Sequence, residues 1–159
     1  MSSITLWRMS APHHAKTIAE MLSGEGAVMY GGRWNSPGNR VVYLSETLSL
    51  AAFEILVHAA STAILQPYQF LKVEVPEDLI MALDDNVLPP DWKEPFNYAL
   101  QAIGDDWIAS DQSLGLSLPS AVIPGERNVI LRPTHPDFKH VRVGTIEPFS
   151  FDDRIFAEN

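Results

Sequence analysis

Proline occurs twelve times and glycine nine times in these 159 residues, and neither is confined to one end. A proline removes a backbone donor and fixes φ, while a glycine frees it, so both act as punctuation. Little room is left between them for long helices or long strands, and the chain divides into many short elements. Residues 7–8 are placed in a first strand and residues 15–22 in a short helix. A loop begins near Ser23 and carries Gly24, Gly26, Gly31, Gly32 and Gly38. Residues 41–45 are β-branched and aromatic enough for a buried strand. Ser45 or Thr47 can cap the helix that follows, with Glu46 well placed near its start, and that helix should reach about Ala60. Residues 68–75 again read as a strand, closed by Pro76, and residues 88–92 as a proline-bearing turn. Pro95 suits the start of another helix, in which Phe96, Leu100, Ile103 and Trp107 recur at helical spacing. Short strands are expected at 114–118, 128–131 and 141–143. No regular βαβ alternation emerges, so the fold class is α+β: a small mixed-sheet core with flanking helices.

The length suits one domain spanning 1–159, with a single sizeable core. Hydrophobic residues at 46% and charged residues at 19% give a globular composition rather than a disordered one. No apolar stretch approaches the ~18 residues of a membrane span, since Glu54 and His58 interrupt the longest. Residues 1–10 carry no secretory pattern. The lack of cysteine excludes disulfides and thiolate metal sites and fits a cytoplasmic protein. A formal net charge of −9 repels nucleic acid and anionic membranes, so direct contact with either is not expected. A basic protein partner fits that charge. An anionic substrate fits only where cations or backbone N–H groups gather locally.

Within residues 47–60 the one acid is Glu54, set among Leu50, Ala51, Ala52, Phe53, Ile55 and Leu56. A helix apolar nearly all round is normally buried, and a buried carboxylate must find partners, stay neutral or face a cavity. Pattern alone leaves Glu54 open between a structural ion pair, an acid at the helix edge and a functional group. His58, one turn on, reads as a satisfied core histidine.

The loop sequence Gly31-Gly32-Arg33-Trp34-Asn35 sets one permanent cation beside two residues whose backbone can approach a ligand closely. A guanidinium suits forked recognition of phosphate, and Trp34 or Tyr30 can stack on a flat ring. The plainer alternative is a glycine turn with Trp34 anchored in the core. Neither a G-x-G-x-x-G nor a G-x-x-x-x-G-K-[ST] pattern occurs. Ser120, between Pro119 and Pro124, reads as a turn or strand-end serine and lies in no G-x-S-x-G elbow. The five histidines form no H-E-x-x-H pair, and the side chains of His13 and His14 should point apart, so no metal site is expected.

Taken in order, these segments resemble the RES-domain family, named for its arginine, glutamate and serine. The resemblance rests on the run from Gly31 to Gly38, then Val42-Tyr43-Leu44-Ser45-Glu46, then the apolar helix with Glu54 and His58. It continues through the run from Pro119 to Asn128 and ends with Leu131-Arg132-Pro133, His135-Pro136 and Phe138. Arg132 stands where the family often has asparagine. The likeness implies a fold like that of ADP-ribosyltransferase toxins and a toxin that depletes NAD+ by cleaving its nicotinamide–ribose bond, by hydrolysis or phosphorolysis. NAD+ is then a substrate, with no cofactor and no metal. The implied partner is an Xre-like helix-turn-helix antitoxin that blocks the active site, with homodimer formation left open. The implied catalytic residues are Glu54, Arg33, Tyr43 and Ser120, and Asn128 joins Arg33, Tyr43 and Ser120 in substrate binding. Transfer of ADP-ribose to a macromolecule, or a non-enzymatic interaction domain with Arg33 and Glu54 as an ion pair, are the competing readings.

Overall fold

A computed structural model describes residues 2–59 and 66–156. Its strands are β1 (Ser3–Ser10), β2 (Val42–Ser45), β3 (Tyr68–Pro76), β4 (Ile80–Ala82), β5 (Gly115–Pro119), β6 (Arg127–Leu131), β7 (Arg142–Val143) and β8 (Glu147–Phe149). Its helices are α1 (Ile18–Met21), α2 (Glu25–Tyr30), α3 (Leu48–His58) and α4 (Tyr98–Ser110). The strands join in one eight-stranded sheet of order β4-β5-β6-β2-β1-β3-β7, with β8 also paired to β3. Only β4 and β5 run parallel among these pairs. The architecture is α+β, a mixed sheet with flanking helices, as the short and irregular elements predict.

The centre of the sheet is covered on both faces, which is why β2 and β6 read as near-continuous apolar runs. Val42, Leu44, Val129 and Leu131 pack with Leu6, Leu71 and Val73 in one core. Ile130 faces the other way, into a second core with Trp34, Leu100 and Trp107, and Tyr43 packs against it. Helix α4 supplies Leu100 and Trp107 to that second core and lies so close to the Trp34 segment that a Cβ on Gly104 would overlap the Trp34 carbonyl. Backbone cannot yield there as a side chain can. Gly104→Ala should therefore destabilise the protein by about 3 kcal/mol, read as a lower urea midpoint at unchanged slope.

The sheet is not evenly zipped. Strands β1 and β3 pair at eight positions, from Ser3↔Pro76 to Ser10↔Gln69. Strands β1 and β2 pair only at Trp7↔Ser45 and then part, leaving a gap between Arg8-Met9 and Tyr43-Leu44. That gap becomes the floor of a cavity.

Several expectations need correction. The helix expected over residues 15–22 shrinks to Ile18–Met21, because the Thr17 side chain caps it at the Glu20 N–H. The glycine-rich loop contains α2, which Gly24 and Gly31, both at positive φ, bound on either side. Helix α4 begins at Tyr98 under an Asn97 cap, so Pro95 and Phe96 precede it. Helix α3 is capped by Thr47, as expected, but is not buried all round: Leu50, Ala51 and Ala52 are buried, whereas Phe53 and Val57 are exposed. Its described part ends at His58, and the expected end at Ala60 lies outside the described residues. His13 and His14 do not point apart; their rings lie 3.9 Å apart in the 3-10 turn Pro12–His14. Strands β4 and β8 were not expected. No described helix is long and apolar enough to cross a membrane.

Candidate active site

On α3, Ala51, Glu54, Ile55 and His58 stand at helical spacings of three and four, so they form one stripe. All four line a cavity of about 560 Å³ over the gap between β1 and β2. The lone acid of the helix thus faces open space rather than the core. His58 shares that wall and is exposed, so the expectation of a satisfied core histidine fails.

Three further residues converge on Glu54. Strand pairing sets Ser45 opposite Asn128, and the Ser45 hydroxyl donates to Asn128 Oδ1 at 2.7 Å. That fixes the amide, whose Nδ2 donates to Glu54 Oε1 at 2.8 Å. Ser120 follows the end of β5 and is buried; its hydroxyl donates to the same Glu54 oxygen at 3.0 Å. Ser120 Oγ in turn accepts from the Val122 and Ile123 N–H groups at 3.0 and 3.1 Å. It is therefore both the turn serine expected from its flanking prolines and a partner of the acid. Glu54 Oε1 has two donors. Among the described residues, none donates to Oε2 and no cation pairs with the carboxylate.

Arg33 lies on the opposite wall. Its Nη1 donates to the carbonyls of Trp92 and Glu94 at 3.0 and 2.8 Å. The buried Arg33–Glu54 ion pair required by a purely structural reading does not form. The turn bearing Arg33 is held from several sides. Asn35, fully buried, donates to the carbonyls of Ala27, Ser36 and Asn39 and accepts the Tyr43 hydroxyl proton at 2.7 Å. Tyr43 also accepts the Trp34 N–H at 3.0 Å, and a Cβ on Gly32 would sit 2.6 Å from its hydroxyl, so only glycine fits there. Gln101 and Asp105 from α4 complete the frame: Gln101 binds the Gly32 and Asn35 carbonyls, and Asp105 binds both the N–H and the hydroxyl of Ser36. Burial holds the Tyr43 phenol well above its ordinary pKa, so it stays a neutral donor. Trp34 belongs to the core, whereas Tyr30 stands exposed at the cavity edge.

Arg8 is the member that sequence reasoning missed. It reaches across the gap between the parted strands, donating from Nε to the Met21 carbonyl at 3.1 Å and from Nη1 to the Tyr43 carbonyl at 3.3 Å. Among the described residues no carboxylate neutralises it, and burial pushes the pKa of its guanidinium down to about 10. The available signal was its phase: Arg8 follows Leu6 by two along β1, and Leu6 is fully buried.

Among the described residues, the cavity therefore holds a carboxylate with one oxygen that accepts no hydrogen bond, and two cations whose hydrogen-bond partners are neutral carbonyls. All five residues named for the site on sequence grounds meet here: Arg33, Tyr43, Glu54 and Asn128 line the cavity, and Ser120 lies directly behind Glu54. The RES domain family model matches residues 5–152, which takes in every one of them. The chain belongs to the RES domain family. It is 38% identical over 144 residues to Toxin Res of Photorhabdus laumondii, covering 89% of this chain and 92% of that one. To Toxin Res of Yersinia enterocolitica the identity is 36%, over 87% and 92% of the two chains. A Sphingobium protein named Prs ADP-ribosylating toxin is 31% identical, over 97% and 98%. By family and by these relatives, this RES-domain protein is a toxin of the Res type. Its fold is similar to that in the Mycobacterium tuberculosis MbcT–MbcA toxin–antitoxin complex, with a TM-score of 0.70, 20% identity and coverage of 94% and 85%.

Proposed function

We propose that this RES-domain toxin consumes NAD+ by breaking its nicotinamide–ribose bond. The observation that carries the reading is Glu54, with one oxygen fixed by Ser120 and Asn128 and the other bare toward a cavity that also holds two carbonyl-bound arginines. When the C–N bond breaks, both electrons stay with nitrogen and nicotinamide leaves neutral. Positive charge develops on the ribose, and a preorganised carboxylate stabilises it. Arg8 and Arg33 suit the pyrophosphate, as their charges meet no acid, and Tyr43 packs beside ribose or nicotinamide. Ser120 and Asn128 act through Glu54, fixing its orientation. Water, or phosphate, then adds to the anomeric carbon and its proton passes to solvent.

The test is direct. Purified protein incubated with NAD+ should release free nicotinamide, with ADP-ribose as co-product if water is the acceptor and its anomeric phosphate if phosphate is. NAD+ left intact would end this reading. A second reading, transfer of ADP-ribose to a protein, is favoured by the name of the Sphingobium relative. The chain has no Glu/Gln-x-Glu pair of the kind that arginine-directed transferases carry, which weighs toward a small acceptor. Label transfer from NAD+ to protein in a host lysate would reverse that order.

The regulating partner proposed is an Xre-type helix-turn-helix antitoxin seated over the same cleft. The fold's likeness to a protein crystallised with its antitoxin supports a protein partner. The net charge of −9 should speed encounter with a basic partner at low salt. In the same assay antitoxin should compete with NAD+, and a stable complex with undiminished turnover would exclude cleft blocking.

A further inference from the structure

Two large aromatic side chains stand in water at the edge of the cavity. Tyr30 is 78% exposed and Phe96 is 57% exposed, yet both line the same space as Glu54. Both rings leave most of their surface in water beside the cavity, and the local geometry that holds them is specific. Helix α2 stops at Tyr30 because Gly31 takes φ 71, which leaves the ring on the rim instead of inside a continued helix. On the other side, Arg33 Nη1 grips the carbonyls of Trp92 and Glu94, and so ties the segment leading into Pro95 and Phe96 to the turn that follows Tyr30. Lys93 lies over the Trp92 ring at 5.6 Å and the Phe96 ring meets Tyr98 edge-on at 4.5 Å, which steadies the segment further. One cation thus fixes the two rims relative to each other.

We propose that Tyr30 and Phe96 form a subsite for a flat heteroaromatic ring at the outer end of the cavity, and that its occupant is the purine of an adenine nucleotide. The choice of occupant rests on the NAD+ reading above. A dinucleotide carries rings at both ends of its pyrophosphate. With the reacting ribose at Glu54 and the pyrophosphate at the arginines, the distal purine falls at the mouth, where stacking on aromatic faces is its ordinary mode of recognition. Arg33 is then a positioning residue for the subsite as well as a cation beside the phosphates. A purine held there would also favour whole dinucleotides over truncated substrates.

The experiment uses ligands with no bond to cleave. Calorimetric titration of the wild-type protein compares adenosine diphosphate with inorganic pyrophosphate, a diphosphate that lacks both purine and ribose. Adenosine diphosphate should bind at least about tenfold more tightly, and in Tyr30→Ala/Phe96→Ala that advantage should collapse by about tenfold. Tyr30→Phe/Phe96→Tyr, which keeps both rings, should retain it. A ratio unchanged by the alanine pair, or no binding of adenosine diphosphate at all, overturns the subsite. Equal weakening of both ligands also overturns it, since that marks a general loosening of the mouth. Turnover of NAD+ separates the two proposals. If NAD+ is cleaved while the ratio stays fixed, only the subsite is wrong. If the ratio collapses while NAD+ is left intact, the subsite stands and the reaction is wrong.

Discussion

Glu54→Gln should lower kcat for NAD+ cleavage by about a thousandfold and leave the thermal midpoint within a few degrees of wild type. The substitution is nearly isosteric, and the amide oxygen can still accept from Ser120 and Asn128 as Oε1 does. The framework of the site therefore survives. What is lost is the negative charge facing the reacting ribose. Removing one preorganised electrostatic group from an active site costs about two to three orders of magnitude in rate. KM should change little, because the ribose is neutral in the ground state and the carboxylate acts mainly as charge develops. A rise in KM with kcat preserved would make Glu54 a substrate-binding group only. An unchanged rate would remove it from the reaction.

Strand β3 and helix α4 were legible because each carries its own local pattern, whereas only residues 7–8 of β1 (Ser3–Ser10) were expected in a strand. Residues 71–75 alternate apolar and polar side chains up to a proline, and Phe96, Leu100, Ile103 and Trp107 recur at helical spacing. Elements that depend on their neighbours were not legible. Strand β4 is three residues long and exists through pairing with β5, and β8 contains Pro148 and borrows its regularity from β3. Helix α2 was hidden by Gly24, Gly26 and Gly31, which read as loop although two of them merely bound it. The exposed face of α3 shows the limit of hydrophobicity as a guide: a fully apolar helix was expected inside, yet Phe53 and Val57 face outward. Periodicity reveals that a helix is apolar but not how many sides the fold will cover.

The site divides in the same way. Glu54 was conspicuous as a lone acid, but its partners lie 66 and 74 positions away, and spacing cannot bring such residues together. Resemblance to a family named them, and strand register explains them: Asn128 reaches Glu54 because Ser45 on the neighbouring strand holds its other amide atom. Arg8 carried neither of these signals, only its phase along β1. A strand arginine is unremarkable in sequence, and only the parting of β1 from β2 turns it toward a cavity.

Arg8→Met should raise the KM for NAD+ about a hundredfold and abolish competitive inhibition by pyrophosphate. The guanidinium is held by the Met21 and Tyr43 carbonyls and has no acid beside it, so its charge is available to an anion. Truncating one partner of a desolvated, hydrogen-bonded charge pair typically costs about 2–5 kcal/mol, which spans the predicted factor. Stability should move in the opposite sense to function, or hardly at all. Burial lowers the folded pKa of Arg8 from its ordinary value to about 10, so at neutral pH the folded state bears the cost of an uncompensated cation. For a base, this means that the unfolded chain binds the proton more tightly. The penalty is complete below about pH 10 and fades as pH rises from there toward the ordinary guanidinium range. Methionine removes that penalty and gives up two hydrogen bonds to carbonyls, and the two effects largely offset. In KM, Arg8→Lys should fall between wild type and Arg8→Met, because the charge remains but the fork that spans both strands does not. A sharp fall in thermal midpoint with KM unchanged would instead make Arg8 a clasp for the parted strands, and leave the pyrophosphate to Arg33.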